Sequence, residues 1–136
     1  MANIQISPSA SNQFEPSIAV NWLNPSVMVA VAVDLRAGPA LIGLYKSIDA
    51  GATWSTQLLP LPTGFASMDS PHIDYKFPNT FVVAANALDT DGLSGTIVTY
   101  TSNDNASTFG PPVIVNQGFG QFVSNDQVVV IIDKAG

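Results

Sequence analysis

The sequence predicts an all-β fold built from repeated four-stranded units, and three observations lead to it. One octet occurs twice, at 47–54 and at 102–109, and the two copies lie 55 residues apart. Short runs rich in Val, Ile and Thr alternate with turns that contain many of the ten Gly and ten Pro residues. No stretch shows the 3.6-residue apolar period of an amphipathic helix.

Both octets have the chemistry of a tight turn. An Asp carboxylate can accept hydrogen bonds from nearby backbone N–H groups, and Ser and Thr hydroxyls can complete the same network. Gly51 is free to adopt a positive φ, whereas Ala106 in the matching place is either strained or does not need one. A carboxylate site for a metal or a sugar is the alternative, and we favour a self-satisfied turn. The matching residues are Ser47, Asp49, Gly51, Thr53 and Trp54 in the first octet and Ser102, Asp104, Thr108 and Phe109 in the second.

The octets resemble the Asp box, or BNR repeat, of sialidase-like β-propellers. The first octet matches this motif fully, and the second has Ala106 in place of Gly and Phe109 in place of Trp. The resemblance implies that each octet joins the third and fourth strands of a blade at the outer rim, away from the central ligand site. It also favours an extracellular or cell-surface location, although no signal peptide is visible in the sequence.

The order of the apolar runs divides the chain into similar units. One unit spans about 14–61, a second spans about 69–116, and a third begins at 126–136. Ile4–Ser7 matches 113–116, the fourth run of the second unit. Four-stranded units of this length are typical of propeller blades, of which a ring uses roughly 4–8. With strands named A to D from the axis outward, the chain reads D, ABCD, ABCD, A.

Residues 1–136 are therefore predicted to form a single propeller segment of four-stranded antiparallel blades. The segment has two complete blades, a spare outer strand at the N-terminal end and a spare inner strand at the C-terminal end. Two blades cannot close a ring. We favour a piece of a longer propeller, and a self-assembling subunit that exchanges strands between copies is the alternative. In that case Val128–Ile132 is the segment most prone to associate.

Composition narrows the range of partners. Four Lys and Arg residues stand against ten Asp and Glu residues, so the net charge of −6 argues against nucleic acid and anionic membranes. The chain has no Cys for a disulfide or a thiolate zinc site, and no apolar run approaches the ~20 residues of a membrane span. The expected partners are other copies of the chain or the remainder of a longer propeller, with a glycan as a further candidate.

Polar side chains in the predicted loops and at strand starts are the candidate ligand residues. The sequence Asp89-Thr90-Asp91-Gly92 resembles the beginning of a calcium loop, but the remaining ligands of that pattern are missing. We therefore expect no cofactor and interpret these carboxylates as solvated. His72, the only His, has Asp69 and Asp74 nearby in sequence and could titrate, although a hydrogen-bonded strand residue is favoured. The candidate ligand residues are Asp34, Arg36, Asp69, His72, Asp89 and Asp91.

The resemblance to sialidases does not carry their catalytic residues into this chain. That chemistry needs three arginines, a Tyr–Glu nucleophile pair and an Asp acid. This chain has one arginine, Arg36, and one glutamate, Glu15, and Phe14-Glu15-Pro16-Ser17 stands where an Arg-Ile-Pro signature is expected. The sequence therefore favours a non-catalytic scaffold or recognition module.

Two other functions stay open. One is a sialidase-like glycoside hydrolase whose active centre lies partly outside this chain. The other is a lectin-like oligomer that stacks sugars on aromatic rings in pockets between blades. The candidate aromatic residues are Trp22, Trp54, Tyr75 and Tyr100.

Overall fold

The computed structural model describes residues 4–91, 94–116 and 127–134. These residues form two four-stranded antiparallel sheets with the strand orders β1-β2-β3-β4 and β5-β6-β7-β8, and they contain no helix. The predicted all-β class is confirmed. The strands are β1 (Gln13–Val20), β2 (Met28–Asp34), β3 (Leu41–Ser47), β4 (Ser55–Leu58), β5 (Ser67–Lys76), β6 (Thr80–Leu88), β7 (Gly95–Ser102) and β8 (Val113–Ile114).

Each sheet is a meander in which consecutive strands are neighbours. The second strand, β2 or β6, is the most apolar because it is paired on both sides and covered on both faces. The outermost strands, β4 and β8, are shorter than the predicted runs to Leu61 and Asn116. Single backbone bonds extend their pairing, from Leu59 N to Ile42 O at 2.8 Å and from Val115 N to Ile97 O at 2.8 Å.

The two sheets share one hydrophobic core. Residues of β2 and β3 from the first sheet pack against residues of β5, β6 and β7 from the second. The rings of Tyr75 and Phe81 lie 5.0 Å apart at the centre of this layer. Leu59, after β4, is 2% exposed and belongs to the same core. This arrangement positions the inner strands β1 and β5 side by side.

The other face of the first sheet is only partly covered. Ile18 pairs with Ala30, and Ala30 pairs with Tyr45, so the three side chains share that face. Ile6 and Trp54 pack there against buried residues, but Ile18 remains 58% exposed.

The predicted strands at the two ends of the chain do not form ladders. Ile4–Ser7 has no strand assignment, because no described strand lies beside it to share its backbone hydrogen bonds. Residues 127–134 also have no strand assignment, and their N–H groups bond to side chains of β5 instead. Residues 126, 135 and 136 of the predicted third unit lie outside the described part of the chain. No helix of the described residues has the length and apolar character to cross a membrane.

Candidate functional site: a cleft at the inner strands

The inner strands β1 and β5 carry the same irregularity. The pairing register shifts between Phe14 and Ser17 in β1 and between Asp69 and His72 in β5. A proline lies inside each shift, and proline has no N–H to donate to the neighbouring strand. The extra residues form a bulge at the same height in both sheets.

A left-handed residue marks each bulge and is repeated a third time. Glu15 has a φ of 53°, Ser70 a φ of 48° and Gln127 a φ of 53°. They lie 55 and 57 residues apart, so all three occupy one place in the repeat. A positive φ costs a residue with a Cβ roughly 1–2 kcal/mol, and such strain is often found at functional sites.

The three left-handed residues line one cleft of about 320 Å³. Within it, Ser70 N donates a 2.9 Å hydrogen bond to Glu15 Oε2 and so links the two sheets. Pro16, Pro71 and Val128 supply apolar surface. Ser17, His72 and Gln127 supply the remaining polar groups.

Two equivalent hydrogen bonds hold the elements around the cleft. Ile73 N donates to Ser17 Oγ at 3.2 Å, and Val130 N donates to His72 Nδ1 at 3.3 Å. Ser17 and His72 lie 55 residues apart, and Ile73 and Val130 lie 57 apart. Residues 127–134 therefore take the place beside β5 that β5 takes beside β1. Because His72 Nδ1 accepts a hydrogen bond, the proton of the neutral ring is on Nε2.

Asp74 ties the C-terminal segment to β5. Ile132 N donates to its Oδ2 at 2.9 Å, and Lys134 Nζ lies 2.8 Å from its Oδ1. Burial acts to raise the pKa of Asp74, but the bonds from Lys134, Ile132 N and Tyr75 N outweigh it, so the pKa is lowered. His72 and Asp74 thus hold neighbouring parts of one segment. The structure records no contact between His72 and Asp69.

The first predicted ligand loop, which contains Asp34 and Arg36, has a structural role and does not line the cleft. Asp34 is completely buried, accepts a 2.6 Å bond from Tyr45 Oη and accepts a 2.9 Å bond from Arg36 N. Asp34, predicted as the first residue of this loop, instead ends β2 and points at Tyr45. Burial, followed by the bond to Asp34, raises the pKa of Tyr45 to about 12. A Cβ on Gly43 would lie 2.6 Å from Tyr45 Oη, so only glycine fits there.

Arg36 is occupied by the same cluster. Its Nε lies 3.1 Å from Asp34 Oδ2, and its Nη2 donates to Thr56 Oγ1 at 2.6 Å. Its guanidinium carbon lies 5.9 Å from the centre of the Tyr45 ring. Arg36 does not line the cleft.

The acidic residues of the second predicted loop bond within their own turn. Asp89 accepts bonds from Thr90, and Asp91 accepts bonds from the N–H and the hydroxyl of Ser94. Gly92 lies outside the described residues. Within 4–91, 94–116 and 127–134, no three His, Cys, Asp or Glu side chains form a group that could hold a metal ion. In β5, Asp69 Oδ1 is buried and has no hydrogen-bond partner among those residues.

The aromatic candidates differ in access. Tyr75 and Tyr100 are 1% and 0% exposed, so neither can stack on a sugar. Trp54 is partly buried against the first sheet. Trp22 is 56% exposed, and its ring lies 6.4 Å from that of Phe77, which is 55 residues further along the chain.

Both octets form the same hydrogen-bond network. In the first, Asp49 accepts the N–H of Thr53 at 2.9 Å and the hydroxyl of Thr53 at 2.6 Å. Ser47 Oγ donates to Asp49 at 2.8 Å and accepts Gly51 N at 2.8 Å. The second octet repeats each of these four bonds. Its contacts join Ser102, Asp104, Ala106 and Thr108.

The backbone shapes of the octets also agree. Ala50 and Asn105 both have a φ of 58°, followed by 86° at Gly51 and 57° at Ala106. The second turn therefore does need a positive φ, and Ala106 adopts it with strain. Ala106 is 3% exposed and packs in the shared core, so burial of its methyl group offsets part of this cost.

The fold resembles that of a known sialidase, whereas sequence comparisons find no relative. No protein-family model matches the sequence, and no curated protein matches it. Among solved structures, the Hadza microbial sialidase Hz136 is similar over 73% of this chain, with a TM-score of 0.56 and 15% identity. The similar region is 24% of that sialidase, so this chain corresponds to about a quarter of its length. At this identity the likeness shows a sialidase-like propeller fold alone.

The left-handed position of each octet yields a prediction about stability. Gly51→Ala should lower the free energy of unfolding by roughly 1–2 kcal/mol, because a Cβ at Gly51 meets only ordinary contacts and the cost is backbone strain. Ala106→Gly should raise the free energy of unfolding by about 1 kcal/mol or less, because the relief of roughly 1–2 kcal/mol of strain is partly offset by roughly 0.8 kcal/mol of lost methyl burial. Urea denaturation measures both. Equal effects of the two substitutions would contradict this account.

The octet carboxylates yield a prediction about acid stability. The hydroxyl and N–H of Thr53, followed by Ser47, lower the pKa of Asp49 from 3.8 to about 2, and the equivalent bonds lower the pKa of Asp104 further. A lowered folded-state pKa stabilises the fold above the unfolded-state pKa. This stability should be lost as the pH falls from about 4 to about 2, and less of it should be lost in Asp49→Asn.

Circular dichroism at stepped pH measures this loss. Thr53→Val keeps the carboxylate but removes the hydroxyl donor, so it should move the acid midpoint upward. An acid midpoint that is the same in wild type, Asp49→Asn and Thr53→Val would refute the role assigned to this network.

Proposed function

We propose that this chain is a non-catalytic recognition or scaffold module with a sialidase-like propeller fold. The observation that carries the proposal is the use of its one arginine. Arg36 is held by Asp34 and Thr56, and the charged group in the inner-strand cleft is the carboxylate of Glu15. A site of this charge cannot clamp the carboxylate of a sialoside.

The finer assignments belong to the same proposal. The octets are Asp boxes, the repeated units span 14–61 and 69–116, and a third begins at 126–136. The shared hydrogen bonds and backbone angles of the octets support this assignment. The resemblance to secreted propellers supports an extracellular or cell-surface location. In this proposal Asp69, Asp89 and Asp91 need no calcium or other cofactor.

The two alternative functions require different residues. A sialidase-like hydrolase needs its arginines and nucleophile from outside these residues. A lectin would use Trp22, since exposure of its ring beside Phe77 favours a stacking platform there over one at Tyr75 or Tyr100. Trp22→Ala should then abolish binding on a glycan array, whereas loss of the buried Tyr100 should unfold the chain.

Turnover distinguishes the module from the enzyme. The chain should not hydrolyse a fluorogenic sialoside above the rate of the buffer, because it holds no arginine cluster, and release of the fluorophore measures this directly. A full-length sialidase serves as the positive control. Hydrolysis by this chain alone, lost in Glu15→Gln, would overturn the non-catalytic assignment.

The partly covered face of the first sheet supports self-association or contact with further blades. Ile18 is 58% exposed on the sheet face that carries Ala30 and Tyr45, and packed sheets normally cover such a face. We expect a mass above 14.2 kDa in sedimentation, and Ile18→Ser should lower it. Ile48→Ser is the matched control, since Ile48 is 68% exposed in the octet turn. A wild-type chain that stays at 14.2 kDa at high concentration would exclude self-association.

A further inference from the structure

The cleft between the inner strands already contains an anion. A backbone N–H presented at a left-handed bulge is a typical donor to a ligand carboxylate or phosphate. At Ser70 that donor is taken, because Glu15 Oε2 accepts it at 2.9 Å. The side chain of Glu15 thus fills the place where an acidic ligand would bind.

The charge around the cleft also disfavours an acidic ligand. Glu15 is the only acidic or basic residue among Glu15, Pro16, Ser17, Ser70, Pro71, His72, Gln127 and Val128, apart from His72. No Lys or Arg lines the cleft, and Arg36 and Lys134 are paired elsewhere, with Asp34 and with Asp74. A ligand carboxylate would therefore meet Glu15 without a compensating Lys or Arg among the residues that line the cleft, and bringing like charges together weakens binding.

The remaining polar groups alternate between donors and acceptors. Glu15 Oε1 has no hydrogen-bond partner among the described residues and is an acceptor. Ser17 Oγ accepts Ile73 N, so its own proton is free to donate. His72 accepts Val130 N through Nδ1 and presents Nε2–H as a donor. The side-chain amide of Gln127 offers both a donor and an acceptor. A set of hydroxyls, each a donor and an acceptor, matches this arrangement.

The size and walls of the cleft suit the same kind of ligand. A volume of about 320 Å³ is at the lower end of the range for small-molecule sites, which is roughly 300–1,000 Å³. Pro16, Pro71 and Val128 provide C–H surface against which the apolar face of a sugar ring can pack.

We propose that the inner-strand cleft binds the uncharged, hydroxyl-rich end of a glycan and that Glu15 excludes ligands bearing a carboxylate. This inference rests on the recognition role proposed above and names the ligand class of that site. Glu15 acts twice, as an acceptor for a ligand hydroxyl and as the group that blocks the Ser70 N–H. The surrounding structure holds Glu15, Ser70 and Gln127 in strained left-handed conformations, and these conformations present their polar groups to the ligand.

Three sugars with the same ring test the proposal. They are methyl glucoside, methyl glucosaminide and methyl glucuronide, which are neutral, cationic and anionic. NMR titration of the full chain, read at the Ser70 amide, gives each Kd. The glucoside should bind at least about tenfold more tightly than the glucuronide, because like-charge contact is costly. In Glu15→Gln this ratio should fall towards one, because the charge is gone and the shape is kept.

Two further variants separate binding from folding. Asp89→Asn removes an exposed carboxylate outside the cleft and should leave the ratio unchanged. Ser70→Gly keeps the backbone donor and relieves the positive φ, so it should raise the melting temperature by a few degrees and weaken glucoside binding. Ser70→Gly that raises the melting temperature without weakening glucoside binding would overturn the role given to the strain.

The possible failures point to different conclusions. Tighter binding of the glucuronide, or a ratio that Glu15→Gln does not change, overturns the ligand class while the chain remains non-catalytic. Binding of the glucosaminide without the glucoside shows that a cation is the ligand and also overturns it. No shift of the Ser70 amide with any sugar overturns the site itself. Hydrolysis of the fluorogenic sialoside overturns the proposed function and is read in a separate assay.

Discussion

Each four-stranded sheet depends on one carboxylate at its outer turn. Asp49 and Asp104 each accept a backbone N–H and a hydroxyl from a Thr four residues further on, which fixes the chain as it passes from the third strand to the fourth. The outermost strands are too short to define this turn by pairing alone, since β8 has two residues. The aromatic residue after the Thr then packs beside buried core residues. The network therefore sets the register of the outer strand.

Backbone strain occurs at two repeated places, with different compensation. At the octets, a positive φ at Ala106 is offset by core packing and by the bond from its N–H to Ser102. At the inner strands, Glu15 and Gln127 are exposed, so little burial offsets their positive φ. The strain at the octets is explained by packing and therefore has a structural role. Strain repeated three times around one cleft, at two exposed residues and the half-buried Ser70, is a reason to propose that this surface binds a ligand.

Much of the fold could be predicted from the sequence, because repetition and turn chemistry are local signals. The octets, the apolar runs of β2 and β6 and the restart of the pattern all lie within short windows. The inner-strand bulges were not predicted, although Pro16 and Pro71 were visible, because a proline in a strand does not reveal which neighbour becomes left-handed. The burial of Asp34 could not be predicted from the sequence either. Its burial depends on Tyr45 on the next strand and on the absence of a side chain at Gly43.

A fold shared with a sialidase does not by itself imply sialidase chemistry, because function depends on the groups that the scaffold presents. In this chain the cleft at the inner-strand bulges presents a carboxylate, hydroxyls, an imidazole N–H and an amide, and the arginine is paired elsewhere with Asp34. Ser70 N–H, a backbone donor in the cleft, is bonded to Glu15. In the proposed function, the ligand is recognised through its hydroxyls, and the charge of Glu15 selects among sugars.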